Sequence, residues 1–209
     1  VLVVEDIPLN QLLMKTLLDD FGFERDIAEN GKIAIEKLKE KDYEIVLMDL
    51  QMPEMNGFEA TEYIRKTMKS TIPIIALTAD VTTVDLAKCK AVGMDDYLAK
   101  PVDEKQLYNK IVSILNQSKL NKLPQNQIDK FEDNISTEEK IRCINLGYLN
   151  QRTKSNPKLM MEMITLYLGQ VPPLVHTMKQ SLADQNWSLL AASAHKMIPS
   201  FSIVGISSD

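Results

Sequence analysis

Five short apolar runs, each closing on a polar or charged residue and each followed by a longer amphipathic stretch, constrain this chain more than any other feature. Val1-Leu2-Val3-Val4 reads as a buried strand and ends in Glu5-Asp6. Pro8 then suits the first turn of a helix, whose apolar stripe is Leu9, Leu12, Leu13, Thr16 and Leu17. A weaker strand over 25–28 precedes a helix over 31–39 carrying Ile33, Ile35 and Leu38. Ile45-Val46-Leu47-Met48 ends in Asp49, and a loop with Pro53 and Gly57 leads into a helix over 58–68. Ile74 to Leu77 ends in Thr78, and 84–92 is helical. Tyr97-Leu98-Ala99 ends in Lys100-Pro101, after which Asp103 caps a last helix running to Leu115. Five repeats of strand then helix predict an α/β chain: a parallel sheet covered on both faces and joined by right-handed crossovers.

After Leu115 the texture changes. Residues 117–144 are rich in Asn, Gln, Ser and Lys, contain Pro124 and hold only isolated apolar residues, which predicts a linker. From Asn145 onward the pattern is helical, with Met160, Met163, Ile164, Tyr167, Val171, Leu174, Val175, Met178 and Leu182 stepping by three and four. Pro172 and Pro173 lack the N–H groups owed to the carbonyls of Leu168 and Gly169, so this helix is expected to kink or split there. A second helix is expected from near Asn186, with Leu190, Ala194, Met197, Phe201 and Val204 at the spacing of a packing seam. No repeat links the two halves.

Charge and composition narrow the partners. The chain of 209 residues carries 29 acidic and 24 basic side chains, a formal charge of −5, which argues against a nucleic-acid or anionic-membrane footprint. No apolar run approaches the ~18–20 residues that span a bilayer, and no secretory leader pattern opens the chain. Cys89 and Cys143 stand apart without paired spacing, so neither a disulfide framework nor a zinc site is indicated and a reduced, cytoplasmic setting is expected. The chain opens without Met and inside an apolar run, as a piece of a longer protein would. It has no Gly-rich phosphate loop or kinase motif with which to use ATP.

Glu5, Asp6, Asp49, Thr78 and Lys100 each fall at the carboxyl end of a predicted strand. In an open parallel sheet that edge is where ligands bind, so residues far apart in sequence should converge there. A single Asp closing a strand is ordinarily a turn or cap residue; five suitable residues at successive strand ends form a different pattern. Three carboxylates brought together raise one another's pKa values unless a cation joins them, and an all-oxygen site with few protein ligands suits Mg²⁺. A Lys and a Thr hydroxyl aimed at the same point offer a charge and a neutral donor to phosphoryl oxygens. The central carboxylate is then placed to attack a phosphoryl donor.

The segments VLVVED, VLMDLQMPEMNG, PIIALTAD and GMDDYLAKP, spread over residues 1–115, resemble the receiver domain of two-component response regulators. The resemblance implies Asp49 as phosphoacceptor, with Asp6 binding Mg²⁺ directly, Glu5 orienting a water on it and the backbone carbonyl of Gln51 as a further ligand. It implies Lys100 and Thr78 as holders of the phosphoryl oxygens, Tyr97 as the switch aromatic and a cis Lys100–Pro101 bond. Gln51 and Asp80 fall where family members tune phosphate lifetime. Aspartyl-phosphate hydrolases with a similar sheet match less well, because their DxDxT signature is absent after the first strand.

His176 reads as a surface residue of the first long helix. His195 lies one position past the seam residue Ala194, rotated by about 100° from the core-facing line, among the small residues Ser188, Ala191, Ala192, Pro199 and Ser202. Such a His is open to close approach, and a neutral imidazole is a competent nucleophile. The segment AHKMIPSF with Gly205, and Trp187 before the helix, resembles the phosphorylation helix of a histidine-containing phosphotransfer (HPt) domain. That implies His195 as phosphoacceptor and Lys196 as its basic neighbour. Two positions depart from the family: Ile198 stands where a basic residue is usual, and Pro199 where a small one is, which should bend the helix.

Together the two resemblances imply a five-stranded, parallel, doubly wound, flavodoxin-like receiver over 1–116, a linker over 117–144, and an all-α portion over 145–209. The last would be the front of an HPt four-helix bundle, incomplete because only two long helices precede Asp209. The implied activity is a Mg²⁺-dependent phosphorelay in the C-terminal part of a hybrid, membrane-anchored sensor histidine kinase. A sensor kinase or HPt protein would be the donor and a cognate receiver the acceptor, with no nucleic-acid or membrane contact. The rival reading is a phosphorylation-gated interaction module whose helical tail docks or dimerises without phosphotransfer.

Overall fold

A computed structural model describes residues 1–79, 83–120 and 146–203. Asp80, Val204, Gly205 and nearly all of the expected linker lie outside the described residues, as do the side chains of Ile198, Pro199 and Ser202. Five parallel strands are present: β1 (Leu2–Val4), β2 (Asp26–Ala28), β3 (Val46–Asp49), β4 (Ile74–Thr78) and β5 (Asp96–Ala99), in the order β2-β1-β3-β4-β5. Helices α1 (Pro8–Asp20), α2 (Gly31–Glu40), α3 (Gly57–Lys66), α4 (Thr83–Val92) and α5 (Glu104–Leu120) connect and follow them. Three more helices close the described chain: α6 (Leu146–Arg152), α7 (Pro157–Ala183) and α8 (Trp187–Ile203).

The central strands β1, β3 and β4 are buried throughout, and the edge strands β2 and β5 only in part. Val3, Leu47, Ile75, Leu77 and Leu98 point to one face, against Leu9, Leu13 and Leu17 of α1 and Leu107 and Ile111 of α5. Leu2, Val4, Val46, Met48, Ile74 and Ala76 point to the other, against α2, α3 and α4. Each such side chain contributes roughly 1.5–3 kcal/mol by leaving water. Register aligns Val4 with Met48, Asp49 with Leu77 and Thr78 with Ala99, so the strands end together at one rim. Because β1 and β3 are neighbours while the chain winds outward in both directions from them, a crevice opens at that rim between the loops after β1 and β3.

The α1 face differs in what covers it. The cluster extends outward through Leu12 of α1 to Leu149, Leu159, Met160, Met163, Ile164 and Tyr167, so α1 is packed between the sheet and the helices that follow residue 145. Lys154 Nζ adds an ion pair to Asp20 Oδ2 at 2.8 Å. Three expectations need correction or narrowing. α5 continues to Leu120 instead of ending at Leu115, moving the start of any linker past residue 117. The helical stretch after Asn145 is broken near Thr153, where Lys154 (φ 49) and Ser155 (φ 58) turn the chain before Asn156 caps α7 through the N–H groups of Lys158 and Leu159. Finally, of the two outcomes expected at Pro172-Pro173, a kink or a split, the split does not occur: α7 is one continuous helix. Both prolines, Leu168 and Gly169 are exposed, so the carbonyls left bare are open to water, and the side-chain-free Gly169 precedes Pro173 by one turn.

Candidate functional site

Each strand end brings its side chain to the rim for a local reason. β1 hands Glu5 to the rim through the hydrogen bond from Glu5 N to Ala28 O (3.0 Å), and Pro8 starts α1 at once, turning Asp6 across the opening. β3 delivers Asp49, and the loop behind it is pressed so close that a Cβ on Gly57 would meet Asp49 O at 2.2 Å. Only glycine admits that approach, and the Asn56–Glu59 capping box then fixes the start of α3. β4 ends in buried Thr78, whose carbonyl accepts from Lys100 N at 2.6 Å. The Lys100–Pro101 bond is cis.

Lys100 is the hub. Its Nζ lies 2.7 Å from Glu5 Oε2 and 2.7 Å from Asp49 Oδ2, with a side chain only 5% exposed. Glu5 is further held by Asn10 Nδ2 donating to Oε1 at 2.8 Å, while Gln11 Nε2 donates to the Glu5 carbonyl at 2.6 Å. Gln51 N donates to Asp49 Oδ1 at 3.3 Å. One oxygen each of Glu5, Asp6 and Asp49 falls within 4.8 Å of the others. Burial pushes the Glu5 carboxyl up to about 7; Lys100 opposes the rise and the Asp49 charge adds to it. For Lys100 burial works to lower the pKa, and the attraction of Glu5 and Asp49 more than offsets it, so the ammonium is held above its ordinary value.

Asp6 has a different partner. Lys196 Nζ of α8 lies 2.7 Å from Asp6 Oδ2, bridging 190 positions of sequence. Asp6 Oδ1 is buried and, among the described residues, has no hydrogen-bond partner. This is the chemistry of a cation site: clustered carboxylates with an oxygen that no protein donor reaches. His195 and Ala192 face Leu50, Gln51, Met52, Pro53, Asn56 and Phe58 across an open cleft. The imidazole is half-buried there, which lowers its pKa, the charges of Asp49 and Asp6 opposing the shift and those of Lys100 and Lys196 adding to it. All four groups thus lie within its electrostatic reach.

The structure therefore brings together Glu5, Asp6, Asp49, Thr78 and Lys100 at one rim, with His195 and Lys196 over it. Tyr97 stands apart from this group: it is outward on β5, with Lys110 Nζ 5.2 Å from its ring centre and held by Asp96 at 2.6 and 2.7 Å. His176 is exposed, away from the site. On α8 the deeply buried residues are Ser193 and Ser200, the latter accepting from Gln170 Nε2 of α7 at 2.7 Å; Leu190, Ala194, Met197 and Phe201 of the expected seam are half-buried. Asn10 and Gln11 went unnoticed in the sequence, since polar residues in a first helical turn carry no distinguishing signal. Gly57 could have been found from Asn-Gly at a helix start closely following Asp49.

A parallel five-stranded sheet with acids and a lysine at its carboxyl rim defines a class, and comparison agrees with it. Residues 1–112 match the response regulator receiver domain, and the chain belongs to that family. The sensor protein GacS of Pseudomonas syringae pv. syringae is 38% identical over 139 residues, 65% of this chain and 15% of the relative. The aerobic respiration control sensor protein ArcB of Escherichia coli K12 is 29% identical over 212 residues, 99% of this chain and 26% of the relative. The chain thus spans about a quarter or less of the curated relatives it matches here. Among solved structures, the receiver domain of the sensor histidine kinase PA1611 of Pseudomonas aeruginosa, with magnesium coordinated in its active-site cleft, superposes with a TM-score of 0.51 at 33% identity, covering 55% of this chain and 95% of that one. The Ssk1 receiver domain of Saccharomyces cerevisiae, co-crystallised with the histidine phosphotransfer protein Ypd1, is also similar: the match has a TM-score of 0.54 at 32% identity and covers 56% of this chain and 88% of the other. No helix among the described residues is long and apolar enough to cross a membrane.

Proposed function

We propose that this chain carries phosphoryl groups in a two-component relay, Asp49 accepting from phosphohistidine and His195 exchanging with a receiver aspartate. In the first step an Asp49 carboxylate oxygen attacks phosphorus, the P–N bond to the donor imidazole breaks, and an acyl phosphate forms. In the onward step a ring nitrogen of His195 attacks, the P–O bond breaks, and the carboxylate leaves. Lys100, which bridges Glu5 and Asp49 at rest, and the Thr78 hydroxyl would hold the phosphoryl oxygens. Mg²⁺, bound by Asp6, Asp49 and the Gln51 carbonyl with Glu5 orienting a water, would offset the charge that builds on those oxygens. Residues 1–116 form the receiver in this reading, with α5 overrunning the boundary, 121–144 the linker and 145–209 the HPt portion. A phosphohistidine of a sensor kinase or HPt protein is the donor, and a cytoplasmic, membrane-anchored hybrid kinase the source.

The observation that carries the reading is the unpartnered Asp6 Oδ1 among three converging carboxylates, with His195 on the helix that covers them. The Ypd1–Ssk1 neighbour, a receiver crystallised with a phosphotransfer protein, lends support to the pairing. The same covering position favours a second reading, in which α8 docks on the receiver as a phosphorylation-gated cap and transfers nothing. Intact mass after incubation with a small phosphodonor and Mg²⁺ tests the first step: one hydroxylamine-labile phosphate on wild type and none on Asp49→Asn is expected. Single-turnover chase into an added receiver separates the readings, since His195→Gln stops onward transfer in a relay and leaves a cap unaffected. No phosphate under any Mg²⁺ condition would overturn both and leave an inactive scaffold.

A further inference from the structure

We infer that Lys196 is a tethered counter-ion of Asp6, so that docking of α8 and binding of Mg²⁺ at the carboxylate cluster oppose one another. The inference rests on the cluster being the Mg²⁺ site, and it adds a role for Lys196 that differs from holding a phosphoryl group. Three carboxyl groups meet at the rim, and two of them, Glu5 and Asp49, share one buried ammonium, Lys100. Asp6, with a side chain only 7% exposed, receives no such help from its own half of the molecule; its cation arrives on α8, 2.7 Å from Oδ2.

The geometry does not force exclusion, because Oδ1 remains without a partner while Oδ2 holds Lys196. It forces competition. A dication at Oδ1 and an ammonium at Oδ2 share one carboxylate, and each weakens the other by repulsion and by withdrawing the same negative charge. Linkage is reciprocal: whatever docked Lys196 costs Mg²⁺ in affinity, bound Mg²⁺ costs α8 in docking. The remaining anchors of α8, its packing on α7 and α1 and the Gln170–Ser200 bond, do not depend on the Asp6–Lys196 ion pair and survive the exchange. Mg²⁺ loading therefore loosens the His195 end of α8 and opens the cleft to an incoming phosphohistidine, while the metal-free chain keeps it covered. Lys196, 41% exposed against 5% for Lys100, is the ammonium free to leave.

The test is Mg²⁺ titration of the full chain by calorimetry, comparing wild type with Lys196→Met, which keeps the aliphatic stem, and Lys196→Arg, which keeps the charge. Lys196→Met should bind Mg²⁺ about three- to ten-fold tighter, as for removal of one competing charge, and Lys196→Arg should match wild type. Hydrogen exchange supplies the reciprocal readout: amides of residues 192–197 should exchange faster with Mg²⁺ in wild type. Equal or weaker Mg²⁺ binding by a folded Lys196→Met chain overturns the coupling and leaves the metal site standing. Heat that persists in Asp6→Asn, or is missing from every chain, removes the metal site and this inference with it.

Discussion

The sheet domain and the α7–α8 pair hold their shapes by different means. In the first, the three central strands β1, β3 and β4 are buried along their whole length, and only the edge strands β2 and β5 reach solvent. In the second, Met163, Val171, Ser181, Ser193 and Ser200 are buried, whereas Met161, Leu168, Leu182, Trp187 and Leu189 are exposed, Trp187 at 61%. The sheet domain thus positions its chemistry from within, through Lys100 and the strand ends. The helical pair takes its placement from its neighbour, through α1 and the Asp6–Lys196 bond. Rigid placement comes from enclosure; placement by contact can be undone one ion pair at a time.

The largest break in this contrast is expected at Gly57. Gly57→Ala puts a methyl against the Asp49 carbonyl, backbone that cannot step aside, and should cost about 4 kcal/mol or more by urea unfolding. Leu47→Ala, in the centre of β3, should cost about 2–5 kcal/mol by the same measurement. Next comes pH. Glu5 keeps its proton to about 7 in the folded chain and to 4.5 in its ordinary state. The folded state therefore binds the extra proton between those values, and its stabilising effect, complete below the lower one, is lost as pH rises through the upper. In metal-free buffer up to about 3 kcal/mol should disappear across that window, and Glu5→Gln should flatten the slope; an unchanged slope would show that burial does not set the Glu5 titration. The smallest effect sharpens the comparison from the other side: Leu189→Ala, exposed on α8, should stay within about 0.5 kcal/mol of wild type.

How much of this was legible in the sequence follows the same division. The strand ends could be read because period and polarity change at one residue, and Glu5, Asp6, Asp49, Thr78 and Lys100 sit at those changes. The rim needs no more than parallel topology to collect them. The apolar stripe of α1 was read as one face, yet it serves two neighbours. One buried cluster takes in Leu9, Leu13 and Leu17 of α1 together with Leu149 and Met163 from beyond residue 145, a demand that a single helix's pattern does not express. At Pro172-Pro173 the missing N–H groups allow either a kink or a split, and the local rule does not choose between them; the helix runs on unsplit. The Asp6–Lys196 bond had no local signature at all, since its partners are 190 residues apart and each is ordinary in its own helix or loop.

The packing of α7 on α1 makes the cover over the acidic rim a neighbour on the same chain. Closure of the cleft is then unimolecular, and diluting the protein leaves it unchanged. In the proposed relay, a donor arriving from solution would face a competitor on the same chain, held at a fixed effective concentration. In that relay, a phosphohistidine from another molecule would have to bind the rim more tightly than that, or arrive when the tethered helix has been released. The threshold for entry is thereby written into the length of the covalent connection, and no change in the abundance of this chain can alter it.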